Sequence, residues 1–146
     1  MKKPEDNLTF VLMYLGLLPF VVIALAVKFY WPALSVFGPW INLGAIYGLV
    51  IVSFMAGSLW GYRIHPHAPF RFLLLLSNYI AINIWIGVFV LRPSDFLWLT
   101  ALCFLVLLGV DFRLGTLDIL SSRYLYHRFI VTLLVILSLV VMGIAV

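Results

Sequence analysis

The sequence predicts an all-α integral membrane protein, a bundle of five transmembrane helices. Three observations carry that reading. Of 146 residues, 66% are hydrophobic and only 10% charged, whereas soluble domains are about 45–50% apolar and about 25% charged. Uncharged runs of helix-spanning length recur along the chain, and roughly 17–25 residues cross the hydrocarbon core as a helix. No run alternates with period two, as the strands of a transmembrane barrel would.

The first run, 8–31, has 24 residues and a single charge, Lys28. It follows Lys2 and Lys3 but also Glu5 and Asp6, and it exceeds the 7–15 residues of a signal peptide's apolar region. It reads as a retained first helix. The second span is 40–62, without charge. The third, 71–91, lies between Arg71 and Arg92. The fourth, 94–113, is the shortest, with 15 uncharged residues between Asp95 and Asp111. The fifth, 124–146, carries 18 uncharged residues after Arg128. Together they make one transmembrane domain over 1–146.

Proline and glycine punctuate the connections. Pro32 and Pro39 bracket the first, Pro66 and Pro69 lie in the second, and Arg92-Pro93-Ser94-Asp95 forms a tight turn with Ser94 or Asp95 as helix cap. Phe112–Arg123 reads as the one longer connection, a short interfacial helix mixing Leu114, Leu117 and Ile119 with Arg113, Asp118 and Arg123. Short connections make successive helices antiparallel neighbours.

Lys2, Lys3, Arg63, Arg71, Arg113, Arg123 and Arg128 fall on one side of such a bundle, and Lys28 and Arg92 on the other. The positive-inside rule then places the N-terminus in the cytoplasm and the C-terminus across the membrane. The net charge of +4 is spread between apolar runs, so it faces a membrane surface rather than nucleic acid. The lone Cys103 permits no intrachain disulfide and reads as a small core residue.

Gly44 and Gly48 are four apart, as are Ser53, Gly57 and Gly61, and small residues at that spacing let helices approach closely. The second helix is therefore expected at the bundle centre. Asn78 and Asn83 lie inside the third span. An amide in hydrocarbon costs several kcal/mol without a partner, about 4–8 in the harshest reference solvent, so both are expected to face protein or a polar ligand. Trp31, Trp40, Trp60, Tyr62, Trp98, Tyr124 and Tyr126 stand near helix ends, as an aromatic belt does. Trp85 is deeper and reads as a packing residue.

No nucleotide loop, zinc motif or Cys-x-x-Cys is present, and no nucleophile, base and orienting group are arrayed together. No catalytic residue and no metal site is assigned, and the cofactor is left open. His65, His67 and His127 all fall at the basic edge, so a haem held between helices is disfavoured. Arg63, Asp111 and Arg128 gather at that edge as a polar ligand site or helix contact. A carboxylate near a helix C-terminus needs a cation. Asp111 is expected to meet Arg128 first and Arg63 second, because Arg113, two residues on, is poorly aimed.

Leu15-Gly16-Leu17-Leu18-Pro19-Phe20 resembles the opening motif of DUF3429, a family of small membrane proteins of unknown function that looks related to mitochondrial transmembrane protein 69. The stretch from Tyr47-Gly48 through Ser53-Phe54 and Gly57 to Trp60-Gly61 resembles the family's second motif. Asp111 resembles its aspartate after the fourth span, and Tyr126-His127-Arg128 with Thr132 its tail motif. The likeness runs from about residue 10 to 140. It implies a compact bacterial inner-membrane protein, in which the count of basic residues makes the C-terminus periplasmic, and it brings no activity with it. Three readings fit: an accessory or assembly subunit of a larger membrane complex, a small transporter or lipid- or quinone-binding protein, and a membrane enzyme. The bilayer is the constant partner, joined by another membrane protein or a second copy.

Overall fold

A computed structural model describes residues 7–34, 36 and 38–145. The described residues form five long helices: α1 (Asn7–Lys28), α2 (Trp40–Ser58), α3 (Phe70–Val90), α4 (Pro93–Thr116) and α5 (Ser122–Ile144). A 3-10 turn, Leu59–Ile64, extends α2. All five spans are long and apolar enough to cross a bilayer. The expected second span is thus an α-helix that tightens in its last turn and a half. Val146, Lys2, Lys3, Glu5 and Asp6, which figure in the expected spans and topology, lie outside the described residues.

The fourth span differs most from expectation. At 24 residues it is the longest α-helix among the described residues, and it absorbs Phe112–Thr116, which the sequence suggests for an interfacial connection. Its C-terminus closes in a Schellman arrangement. The Ile119 N–H donates to Leu114 O (3.1 Å) and the Asp118 N–H to Gly115 O (3.1 Å), with Asp118 at φ 58. Aspartate tolerates that left-handed position better than most residues other than glycine. At the other end, Pro93 occupies the first turn and Arg92 is the N-cap. Asp95 does not cap the helix; it pairs with Arg92 Nε at 3.0 Å. Ser121 caps α5, accepting from the Tyr124 N–H at 3.1 Å.

Side-chain contacts fix how the helices run. Tyr14 on α1 meets His127 near the start of α5, whereas Gly44 near the start of α2 faces Met142 at the end of α5. So α1 and α5 are parallel, α2 is antiparallel to both, and the start of α1 and the end of α5 lie at opposite ends of the bundle. Helix α2 touches α1, α3, α4 and α5, as a central helix should. The most enclosed helix is nevertheless α4: 56% of its apolar stretch is buried, against 33% in the second span. Its Phe104 meets Phe20 of α1 edge-on, and Phe20 meets Tyr47 of α2 at 4.8 Å.

Pro19 inside α1 cannot donate to the carbonyl a turn earlier, which loosens the helix there. The Tyr47 hydroxyl donates to the adjacent Gly16 O at 2.8 Å. A polar side chain from α2 thus bonds the carbonyl next to Leu15 O, the one that the proline leaves without its helical N–H donor.

Candidate functional site

The polar centre of the protein lies between α2, α4 and α5. Arg128 is the seventh residue of α5, about 9 Å along it at 1.5 Å per residue. Its Nε donates to Asp111 Oδ2 at 2.8 Å, and the two side chains are 6% and 9% exposed. Its Nη2 donates to the Met55 sulfur at 2.9 Å. Because α4 continues to Thr116, Asp111 sits inside the helix rather than at its last residue. Tyr62, packed against the core, lies within electrostatic range of both charges. The cross-helix pair joins α4 to α5, and the thioether contact ties α2 to them. Arg63 takes no part: it is exposed on the 3-10 turn.

Next to the pair, a cleft of 420 Å³ runs between α1, α2 and α5. Ser58, Tyr124, Arg128 and Thr132 give it one polar end. Phe20, Ile51, Phe104 and Val135 make the rest apolar. Thr132 is 1% exposed, yet its hydroxyl has no hydrogen-bond partner. Thr100 and Ser138 each donate to the carbonyl four residues back, and the buried Ser77 hydroxyl accepts from Trp60 Nε1 at 3.1 Å. A second, wider groove of 660 Å³ lies between α3 and α4, with His67 and Arg113 among its lining residues; both are exposed.

The amides of α3 make their hydrogen bonds within their own helix. Asn78 is exposed and Asn83 half-buried. Each returns one N–H to its own helix, Asn78 to Leu74 O at 2.9 Å and Asn83 to Tyr79 O at 2.8 Å. Neither faces another helix of this chain, because α3 is the least enclosed helix and buries only Leu73, Ser77, Ile80, Ile84 and Gly87. Trp85 shares the outward side at 59% exposure and meets Phe89 edge-on, so it does not pack inside the bundle.

The glycine stripe divides. A Cβ on Gly44 would lie 2.8 Å from the Met142 sulfur, and one on Gly48 would lie 2.9 Å from Thr100 Cγ2. Around Gly57 and Gly61 nothing comes within 4 Å. Those two glycines therefore do not bring helices of this chain together, and Ser53 between the two groups is half-buried. Gly87, outside the stripe, does: its Cβ would meet Leu99 Cδ2 at 2.6 Å.

Among the described residues no group of three metal-ligating side chains occurs. Several cross-helix interactions were not anticipated, two of them near the basic edge. The Tyr14 hydroxyl lies 3.0 Å from His127 Nδ1, with the Phe10 ring tilted against the same imidazole at 4.5 Å. Met55 was hidden as an ordinary apolar residue, since no local pattern reveals that a thioether meets a guanidinium 73 positions away.

These features define a polytopic membrane protein with a charged pair buried at one end of its bundle. A family model described as protein of unknown function, DUF3429, matches residues 6–144. The chain belongs to this family. No curated protein and no solved structure matches it. The stretches that carry the sequence resemblance meet in space: the first-span motif touches the second through Tyr47 and Gly16, and Asp111 touches the tail motif through Arg128.

Proposed function

We propose that the protein is an accessory structural subunit of a membrane assembly whose building block is a pair of these chains joined along α3. The observation that carries this reading is the outward face of α3. Phe72, Leu75, Tyr79, Ile82, Ile86 and Phe89 are all exposed and are spaced by three and four residues, as in the seam of a left-handed helix pair. Asn78 and Asn83 flank that seam at the g and following e positions, which face each other across two parallel helices.

Two copies inserted with one topology are related by an axis along the membrane normal, so their α3 helices run parallel. Asn78 of each copy then stands opposite Asn83 of the other. An amide both donates and accepts, so the pairing is self-complementary, as a two-fold interface requires. It would satisfy the carbonyl oxygens and second N–H groups that the single chain leaves without partners.

Oxidative crosslinking in native membranes tests the pair. Tyr79→Cys and Ile82→Cys, on the seam, are expected to give a disulfide-linked dimer, whereas Leu105→Cys, exposed on α4, is not. The native Cys103 is buried and supplies no background. Changing Asn78 and Asn83 together to leucine is expected to reduce the dimer yield. Equal crosslinking at 105, or crosslinks only to a different protein, would reject the second copy as the occupant.

On this reading the protein lies in a bacterial inner membrane with its N-terminus cytoplasmic and its C-terminus periplasmic. The basic residues on the starting side of α1 support that orientation. Reporter domains fused to the two ends are expected to report opposite compartments, with the cytoplasmic signal at the N-terminus. The reverse pattern would show that the basic residues do not set the topology.

A further inference from the structure

We infer that the cleft between α1, α2 and α5 is a binding site for a neutral, oxygen-headed amphiphile from the bilayer, its carbonyl or hydroxyl group held by Thr132 and Arg128. Four observations converge on that chemistry, and none of them involves α3 or a second copy.

The first is the Thr132 hydroxyl. It is buried, lines the cleft and has no partner, although hydroxyls in the same bundle bond their own helix. A buried polar group without a partner is unfavourable, and a ligand oxygen would relieve it. The second is Arg128. A guanidinium has five N–H groups, and here one of them is spent on a thioether, a weak acceptor. A ligand oxygen is a better one.

The third is charge. Asp111 already neutralises Arg128 at 2.8 Å, so the site carries no net charge to attract an anionic head. It suits a carbonyl, ester or hydroxyl oxygen. The fourth is access. Leu12 and Phe54 line the cleft and are 57% and 74% exposed, so it opens sideways between α1 and α2 toward hydrocarbon. A tail would lie against Phe20, Ile51 and Val135 while the head sits at the polar end, and the volume of 420 Å³ is in the range of small-molecule sites. Quinones and acylglycerols both present this chemistry.

The test uses the full chain in nanodiscs of defined phospholipid, with a short-tailed quinone in one arm and a monoacylglycerol in the other. Binding is read by thermal stability and by native mass spectrometry. One arm or both should raise the melting temperature in a saturable way and add the ligand's mass, and the arm that responds identifies the source. Gly16→Leu fills the cleft, since nothing lies within 4 Å of its Cβ, and should keep the parent's own melting temperature while abolishing the ligand's effect. Thr132→Val should leave the empty protein as stable as the parent or more so, and weaken binding about threefold to tenfold, the worth of one hydrogen bond.

No response in either arm, or an undiminished response in Gly16→Leu, would overturn the inference. So would a Thr132→Val protein that is destabilised when empty, because the hydroxyl would then have a structural partner. Crosslinking along α3 has no bearing on these outcomes, so this site and the proposed pairing stand or fall separately.

Discussion

Asp111→Asn and Arg128→Gln are each expected to lower the stability of the bundle by about 3–5 kcal/mol, the cost of leaving one member of a buried ion pair alone. The pair is 2.8 Å apart and nearly excluded from solvent on both sides. Arg128 without the carboxylate would keep only the Met55 sulfur among its assigned contacts, and a sulfur cannot balance its charge. Removing the arginine strands a carboxylate inside α4. The double variant removes both charges and should recover much of the loss. The predicted signature is therefore a coupling energy above about 1 kcal/mol in a double-mutant cycle, read by denaturant titration in detergent. A coupling below about 0.5 kcal/mol would mean that the two groups act independently and that the carboxylate is solvated. Replacing both by apolar residues of similar size, Asp111→Leu with Arg128→Met, could come out neutral or more stable than the parent. That outcome would mark the pair as retained for a reason other than stability, which fits its place beside the cleft.

The helices were legible in the sequence because length and apolarity are summed over twenty residues, and single errors average out. The ends were less so. The fourth span looks short in sequence because Asp111 and Arg113 interrupt the apolar run, but the Arg128 guanidinium from α5 pairs the buried Asp111 carboxylate, and α4 runs on to Thr116. The Asp111–Arg128 contact was anticipated on charge and depth alone. The sequence marks the amides of α3 as facing protein or a polar ligand, and within the single chain each bonds only its own helix. Sequence identifies the polar group in the span, but not which side of the helix its own bundle covers. Thr132 is the clearest gap. It stood in the tail motif with no role, and only the missing bond to the turn behind it sets it apart from Thr100 and Ser138. Such a difference lies in rotamers and neighbours, which no residue pattern encodes.

Gly48→Leu is expected to destabilise the protein by about 1–3 kcal/mol, the usual cost of forcing a side chain into a packed interior, while Gly57→Leu on the same helix is expected to change stability little. Spacing alone put both glycines in one class, and the structure separates them. At Gly48 the first added carbon already meets Thr100 Cγ2 at 2.9 Å. Thr100 cannot yield easily: it is fully buried, and its hydroxyl is tied to Phe96 O at 2.9 Å. The side chain must therefore push α2 and α4 apart, and both helices contribute to the core, Val52 from one and Phe104 from the other. At Gly57 the added carbon meets nothing within 4 Å and the residue is exposed, so leucine would point outward and improve helix propensity by up to about 1 kcal/mol. Gly44 is the intermediate case. Its close neighbour is the Met142 sulfur at 2.8 Å, and methionine adapts to irregular space, so Gly44→Ala should cost less than Gly48→Ala. Thermal melts of the four variants in one detergent check the order. A Gly57→Leu protein as unstable as Gly48→Leu would show that the outer face of α2 is covered in the native membrane, and that the glycines there serve a contact with another chain.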